Sequence, residues 1–365
     1  MIIHLIAAAR PNFMKIAPLY HALKRVDWAK PVIVHTGQHY DLNMSDVFFH
    51  DLGLHDPDIH LGIGSGTHAH QTAKVMAAYE DVLMDNPPDL VVVVGDVNST
   101  MAATLAAVKL GIKVAHLEAG LRSFDRTMPE EINRIVTDSI ADILWTPSPD
   151  GDDNLLREGI ALERIHRVGN IMIDSLEMLR HRIEEVQAYK KYGLDKGRYT
   201  LVTLHRPANV DDLEKLKVLT TKLMRISEQI PVVFPVHPRT RLNLLKSKLL
   251  EELYAAPGMT IIDPLGYIEF MNLIFNCTCA ITDSGGIQEE TTYLGIPCIT
   301  IRPNTERPVT VTRGTNKLSS IEDVEQDVAM VLEGRCKRAE GIEFWDGHTA
   351  ERVRDSIYFY FIEGK

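Results

Sequence analysis

The stretch LVVVVG, residues 90–95, is apolar at every position and runs straight into an acid, Asp96. A strand with one wet face alternates apolar and polar side chains. One that does not alternate is buried on both faces, as in parallel sheets covered by helices. Similar runs recur at 2–8, 31–36, 113–118 and 143–147. A second series follows at 199–205, 231–237, 259–263, 280–283 and 297–301. Helical patterns separate them, and that alternation predicts doubly wound α/β domains. The chain has 365 residues, a length that suits two such domains. A charged helical stretch at 176–191 divides the two series, so the expected domains are 1–168 and 169–348. The amphipathic tail, 349–365, is expected to return to the first domain.

Bulk composition narrows the function. Fifty acidic against 39 basic side chains leave a formal charge of −11, which argues against a nucleic-acid partner. A small anion held by a few local arginines stays open. The four cysteines, Cys277, Cys279, Cys298 and Cys336, include no CxxC pair and read as buried, reduced thiols rather than a metal or redox site. The opening MIIHLIAAARPNF is too short in its apolar run to span a membrane. No membrane partner and a cytoplasmic location are expected.

Ligands of open α/β sheets bind outside the carboxyl ends of the strands. In the first half those ends carry Arg10, Lys15, Asp96, His116, Glu118 and Arg122, then Glu130, Glu131, Asn133 and Arg134 in MPEEINR. In the second half they carry His205, Arg206, His237 and Arg239, then Ser284, Gly285, Gly286 and Glu290, and finally Glu306 and Arg307. DSGGIQEE (283–290) stands where a strand should turn into a helix, with unpaired backbone N–H groups and no Cβ to keep an anion away. One half therefore suits acid–base chemistry and the other diphosphate binding. Structural readings compete. Glu131 and Arg134, three apart, suit a surface ion pair. Asp96 suits a helix N-cap, His237 a strand-end cap, and Glu290 either a helix-dipole carboxylate or a ribose contact. GIGSGTHAH (62–70) reads as a mobile surface loop with solvated His68 and His70.

Taken in order, ARPNFMK, GDVNST, HLEAGLRS, MPEEINR, HRPANV, PVHPRTR, TDSGGIQEE and TERP resemble the non-hydrolysing UDP-N-acetylglucosamine 2-epimerases. The resemblance implies two Rossmann-like parallel-sheet domains facing across a cleft, as in GT-B glycosyltransferases, and a homodimer. It implies that Ser284, Gly285 and Gly286 hold the diphosphate and Glu290 the ribose. Arg10, His205 and Arg307 would stabilise departing UDP, His205 within the catalytic set, and Lys15 would assist near the sugar. Asp96, Glu118 and Glu130 would be the acid–base carboxylates around sugar C2, with Arg134 orienting them or meeting the substrate. Neither nicotinamide nor metal is implied. Carboxylates crowded in this way raise one another's pKa. The implied reaction interconverts UDP-GlcNAc and UDP-ManNAc by anti elimination of UDP to 2-acetamidoglucal and re-addition. GQHYDLNM (37–44) departs from GQHREM, a segment that in some members helps bind a second UDP-sugar. GQHYDLNMSDVFF and FDRTMPEEINR also look like epimerases of UDP-2,3-diacetamido-2,3-dideoxy-glucuronate. A GT-B glycosyltransferase and a hydrolysing 2-epimerase are the further alternatives.

Overall fold

The computed structural model describes residues 1–37, 49 and 51–363. Gln38 and His39, with most of the departing segment, lie outside the described residues. The chain forms two compact units, Met1–Met178 with Glu343–Lys365, and Leu179–Ile342. The change falls within the helix Ile171–Glu185, some way beyond the break expected at 168/169.

Among the described residues the first unit holds seven strands: β1 Ile2–Ala7, β2 Lys30–His35, β3 Ile59–His60, β4 Leu90–Val94, β5 Val114–Leu117, β6 Ile143–Thr146 and β7 Ile165–Arg167. They form one parallel sheet in the order β3-β2-β1-β4-β5-β6-β7. The second unit holds six: β8 Thr200–Thr203, β9 Val232–Pro235, β10 Met259–Ile262, β11 Cys279–Thr282, β12 Cys298–Ile301 and β13 Asn316–Ser319. Its sheet is also parallel, ordered β10-β9-β8-β11-β12-β13. Every side chain of β4 is at most 1% exposed, which is why the run shows no alternation. Each such valine contributes about 1.5–3 kcal/mol of burial.

In each sheet the winding reverses once, between β1 and β4 and between β8 and β11. A crevice opens at such a reversal, outside the carboxyl ends of the two strands. The tail rejoins the first unit through specific bonds. The Trp345 indole donates to the Pro147 carbonyl at 2.9 Å, and the Trp145 indole to Ser356 Oγ at 3.0 Å. The buried Asp174 carboxylate accepts the Thr349 and Ala350 amides that open the helix Thr349–Tyr358.

All four cysteines are free thiols, three buried and Cys336 half-buried. Cys277 ends the helix Tyr267–Asn276, and Cys279 opens β11. Residues 62–67 are mostly exposed, but the glycine-rich stretch is shorter than expected because a helix begins at His68. Among the described residues no helix is long and apolar enough to cross a membrane.

Candidate active site

In the first unit the reversal point gathers polar side chains from β1, β4 and β5. Arg10 opens the helix Arg10–Lys24 with an exposed side chain. Asn12 ties the ends of β1 and β4 together: its Oδ1 accepts the Ala9 amide at 3.0 Å and its Nδ2 donates to the Val94 carbonyl at 3.0 Å. One turn on, Lys15 Nζ donates to Glu118 Oε2, an ion pair whose side chains are 12% and 4% exposed. Glu118 has φ +73°, a left-handed conformation unfavourable for a residue with a Cβ. Its second oxygen, Oε1, is buried with no hydrogen-bond partner among the described residues. Gly95 leaves room for the pair, since a Cβ there would lie 3.2 Å from Lys15 Nζ and 3.4 Å from Glu118 Oε2.

Asp96 caps no helix. The following helix, Asn98–Lys109, has Val97 at its N-cap and no side-chain cap bond. Asp96 Oδ2 instead accepts Arg134 Nε at 3.0 Å and Nη2 at 2.8 Å. Arg134 Nη1 donates to Glu131 Oε2 at 2.5 Å. This Glu131–Arg134 pair is no surface bridge: the side chains are 1% and 3% exposed. Glu131 also accepts the Ser123 and Phe124 amides and the Ser123 hydroxyl, so it fixes the loop before its own helix, Pro129–Ile140. Glu130, on the first turn of that helix, is half-buried. Each of two carboxylates thus meets a cation: Lys15 faces Glu118 and Arg134 faces Asp96.

In the second unit the helix Gly285–Leu294 begins at once after β11, with Ser284 at its N-cap making no side-chain cap bond. A Cβ on Gly286 would meet nothing within 4 Å, so the approach to the first-turn amides is open. A Cβ on Gly285 would lie 2.7 Å from Arg307 Nη1 and 2.8 Å from Glu306 Oε1. Glycine there lets the guanidinium lie against the helix start. Arg307 is braced by Glu289 at 2.8 Å and Glu306 at 2.7 Å. Glu306 also pairs with Arg302 at 2.8 Å, and Arg206 stands 3.7 Å away. Burial works to raise the Glu306 carboxyl, but Arg307 and Arg302 prevail and hold it far below the usual carboxylate range. Such a helix start beside braced arginines binds phosphate oxygens well.

The organising residue here is Asp283, which the census of strand ends passed over. Its buried carboxylate accepts the His205 and Arg206 amides at 3.1 and 2.9 Å and Asn209 Nδ2 at 3.2 Å. It also meets His205 Nδ1 at 2.9 Å. Burial works to raise its pKa; the bonds from His205 outweigh that and keep it below its ordinary value. The carboxylate therefore holds the His205 proton on Nδ1 and turns Nε2 outward. His237 is a capping residue, accepting the Arg239 amide at the start of the helix Pro238–Lys246.

Glu290 lies too deep for a first-turn dipole role. It is the sixth residue of its helix, 4% exposed, and accepts the Tyr267 hydroxyl at 2.7 Å. Burial, with repulsion from Glu289, pushes its pKa from 4.5 up to about 7 against the Tyr267 bond. Below 4.5 the folded and unfolded chains both hold this proton. Between 4.5 and about 7 only the unfolded chain ionises, so stability falls as pH rises through this window and then levels. Glu290→Gln removes that term. In urea unfolding, the stability difference between wild type and variant should fall by on the order of 1–3 kcal/mol from about pH 5 to about pH 8. An unchanged difference would contradict this account of the carboxyl.

The family model described as UDP-N-acetylglucosamine 2-epimerase matches residues 21–358. A UDP-N-acetylglucosamine 2-epimerase of Methanocaldococcus jannaschii is 42% identical over 360 residues, 97% of this chain and 98% of that protein. A UDP-2,3-diacetamido-2,3-dideoxy-D-glucuronate 2-epimerase of Pseudomonas aeruginosa is 39% identical over 357 residues, 96% and 98% of the two chains. Among solved structures, the M. jannaschii UDP-GlcNAc 2-epimerase in complex with UDP-GlcNAc and UDP matches with a TM-score of 0.87 and 41% identity, over 98% of this chain and 100% of that one.

Proposed function

The chain belongs to the UDP-N-acetylglucosamine 2-epimerase family of isomerases, and on that premise we propose that it interconverts UDP-GlcNAc and UDP-ManNAc through UDP elimination and re-addition. The C2 hydrogen of an N-acetyl sugar is barely acidic. Cleaving the C1–O bond before or with proton loss makes C1 cationic and C2–H labile. UDP departs carrying the electron pair of that bond, and the sugar becomes 2-acetamidoglucal. Return of a proton to the other face of C2, with re-addition of UDP at C1, gives the epimer. Two faces need groups on two sides, which Asp96, Glu118 and Glu130 are proposed to supply.

The first unit carries the acid–base groups and the second the nucleotide in this reading. Ser284, Gly285, Gly286 and Arg307 receive the diphosphate, with Arg10 adding charge. Negative charge grows on the diphosphate as C1–O breaks, so the helix start and Arg307 stabilise the transition state more than the ground state. His205, aimed by Asp283, presents Nε2 to the leaving oxygen and donates to it when the ring is doubly protonated. Glu290 takes ribose hydroxyls. Arg134 aims Asp96, and Lys15 does the same for Glu118. The observation that carries the reading is Glu118, whose buried carboxylate is held on a left-handed backbone with Lys15 on one oxygen and, among the described residues, no hydrogen-bond partner on the other.

Incubation with UDP-GlcNAc in deuterated water is expected to yield the manno isomer and deuterium at C2 without any acceptor. Absence of both label and isomer would overturn the proposal. Turnover that requires an acceptor and leaves C2 unlabelled would indicate a glycosyltransferase, and free sugar appearing in step with UDP a hydrolysing enzyme. The relative from P. aeruginosa motivates one alternative substrate, UDP-2,3-diacetamido-2,3-dideoxy-glucuronate. Faster exchange on that sugar would move the assignment to it.

A further inference from the structure

His116 lies on β5 and is completely buried, and neither the acid–base scheme nor the nucleotide site uses it. Its Nε2 lies 2.8 Å from the Gly95 carbonyl and its Nδ1 lies 2.6 Å from Asp138 Oδ1. Both neighbours are acceptors. A neutral imidazole has one donor nitrogen and one acceptor nitrogen, and the acceptor would face another lone pair. With Asp138 ionised, only a doubly protonated ring satisfies both contacts. Burial of the resulting cation requires a partner, and the structure supplies one. Asp138 is 0% exposed, its second oxygen accepting the Gly120 amide at 3.1 Å and Arg122 Nη1 at 2.7 Å. Arg122 in turn forks onto Glu158 through Nε at 2.8 Å and Nη2 at 2.7 Å. Two cations and two carboxylates thus alternate along a chain of no net charge. Burial tends to raise the Asp138 carboxyl, but His116 and Arg122 keep it below its ordinary value, so it is the acceptor in this chain.

The two ends of this chain are informative. Gly95 immediately precedes Asp96, and Gly120 lies two residues beyond Glu118. Gly95, Glu118 and Gly120 all have left-handed φ angles, +71°, +73° and +81°. A Cβ on Gly120 would lie 2.3 Å from the Gly151 carbonyl oxygen, so that turn is pressed against a neighbour and cannot relax outward. A strained turn persists only where its surroundings over-determine it.

We infer that His116 is a positioning residue: its imidazolium clamps the turn bearing Asp96 to the turn bearing Glu118 through Asp138. The inference rests on the epimerase reading for the roles of those two carboxylates, but the charge state of the ring does not. The decisive variant is His116→Gln, whose amide donates to one of the two acceptors and not both. Its kcat is expected to fall about 10–100-fold, with KM and UDP affinity within about twofold of wild type, because only transition-state alignment is lost. His116→Phe, with no donor, is expected to fall further. Nitrogen-15 NMR of the wild-type ring near neutral pH should show both nitrogens protonated, and this needs no variant to fold. A bare ring nitrogen, a Gln variant with kcat within twofold of wild type, or losses that merely track the unfolded fraction would each overturn the inference. A wild-type enzyme without C2 exchange would instead sink the epimerase reading while leaving the NMR result standing.

Discussion

Glu118→Gln is expected to lower kcat by on the order of 10²–10⁴-fold while leaving UDP affinity within about twofold. The amide keeps the shape of the side chain and can still accept from Lys15. It cannot take a proton from C2, or return one. The carboxylate is 4% exposed, with Lys15 bonded to one oxygen, so bulk water cannot readily stand in for it. UDP affinity should persist because the proposed nucleotide contacts, Arg10 apart, lie on Leu179–Ile342, the other unit. Deuterium uptake at C2 should fall in step with epimerisation. Exchange at the wild-type rate would remove Glu118 from the chemistry.

Asp283→Asn is expected to do comparable damage by another route. The carboxylate accepts from two backbone amides, from Asn209 and from His205 Nδ1. An asparagine offers one acceptor oxygen and an NH2 group. That NH2 must face one of these donors, which costs about 1–3 kcal/mol for the group left unsatisfied. If it faces His205, the ring turns and Nε2 is no longer aimed outward. Asparagine in place of such an orienting carboxylate has lowered turnover by about 10⁴-fold where the histidine is the catalytic base. Here a fall in kcat of about 10²–10³-fold is expected, since His205 serves a leaving group already stabilised by arginines. Steady-state kinetics and urea unfolding on one preparation separate the two effects. Full activity alongside the stability loss would reduce Asp283 to a structural hub.

What the sequence disclosed follows from what controls each feature. LVVVVG and the nine similar runs became strands because double-sided burial writes itself into composition. β3, β7 and β13 did not stand out. They are edge strands of two to four residues, IH, IHR and NKLS, buried on too little of their surface to be apolar. Helix phase decided between Glu130 and Glu131. Both stand on the first turn, one turn before Arg134, but only Glu131 is fully buried and bonded to it. Asp283 escaped notice because the eye goes to the glycines after it. An acid ending the fully buried run CAIT was a usable signal, since such a charge must have partners. The His116–Asp138 contact spans 22 residues and depends on how the helix Pro129–Ile140 packs beside β5, which no local pattern encodes.

The return of Glu343–Lys365 to the first unit has a consequence during synthesis. A ribosome finishes residue 178 and must make the whole of Leu179–Ile342 before the last piece of the first unit emerges. At typical elongation rates that delay is on the order of ten seconds. Through it, the Pro147 carbonyl and the Asp174 carboxylate wait for Trp345 and for the amides of Thr349 and Ala350. Until then the N-terminal portion lacks the contacts made by its closing helix. A nonsense codon after Ile342 would spare the nucleotide-side unit and leave the other one unfinished.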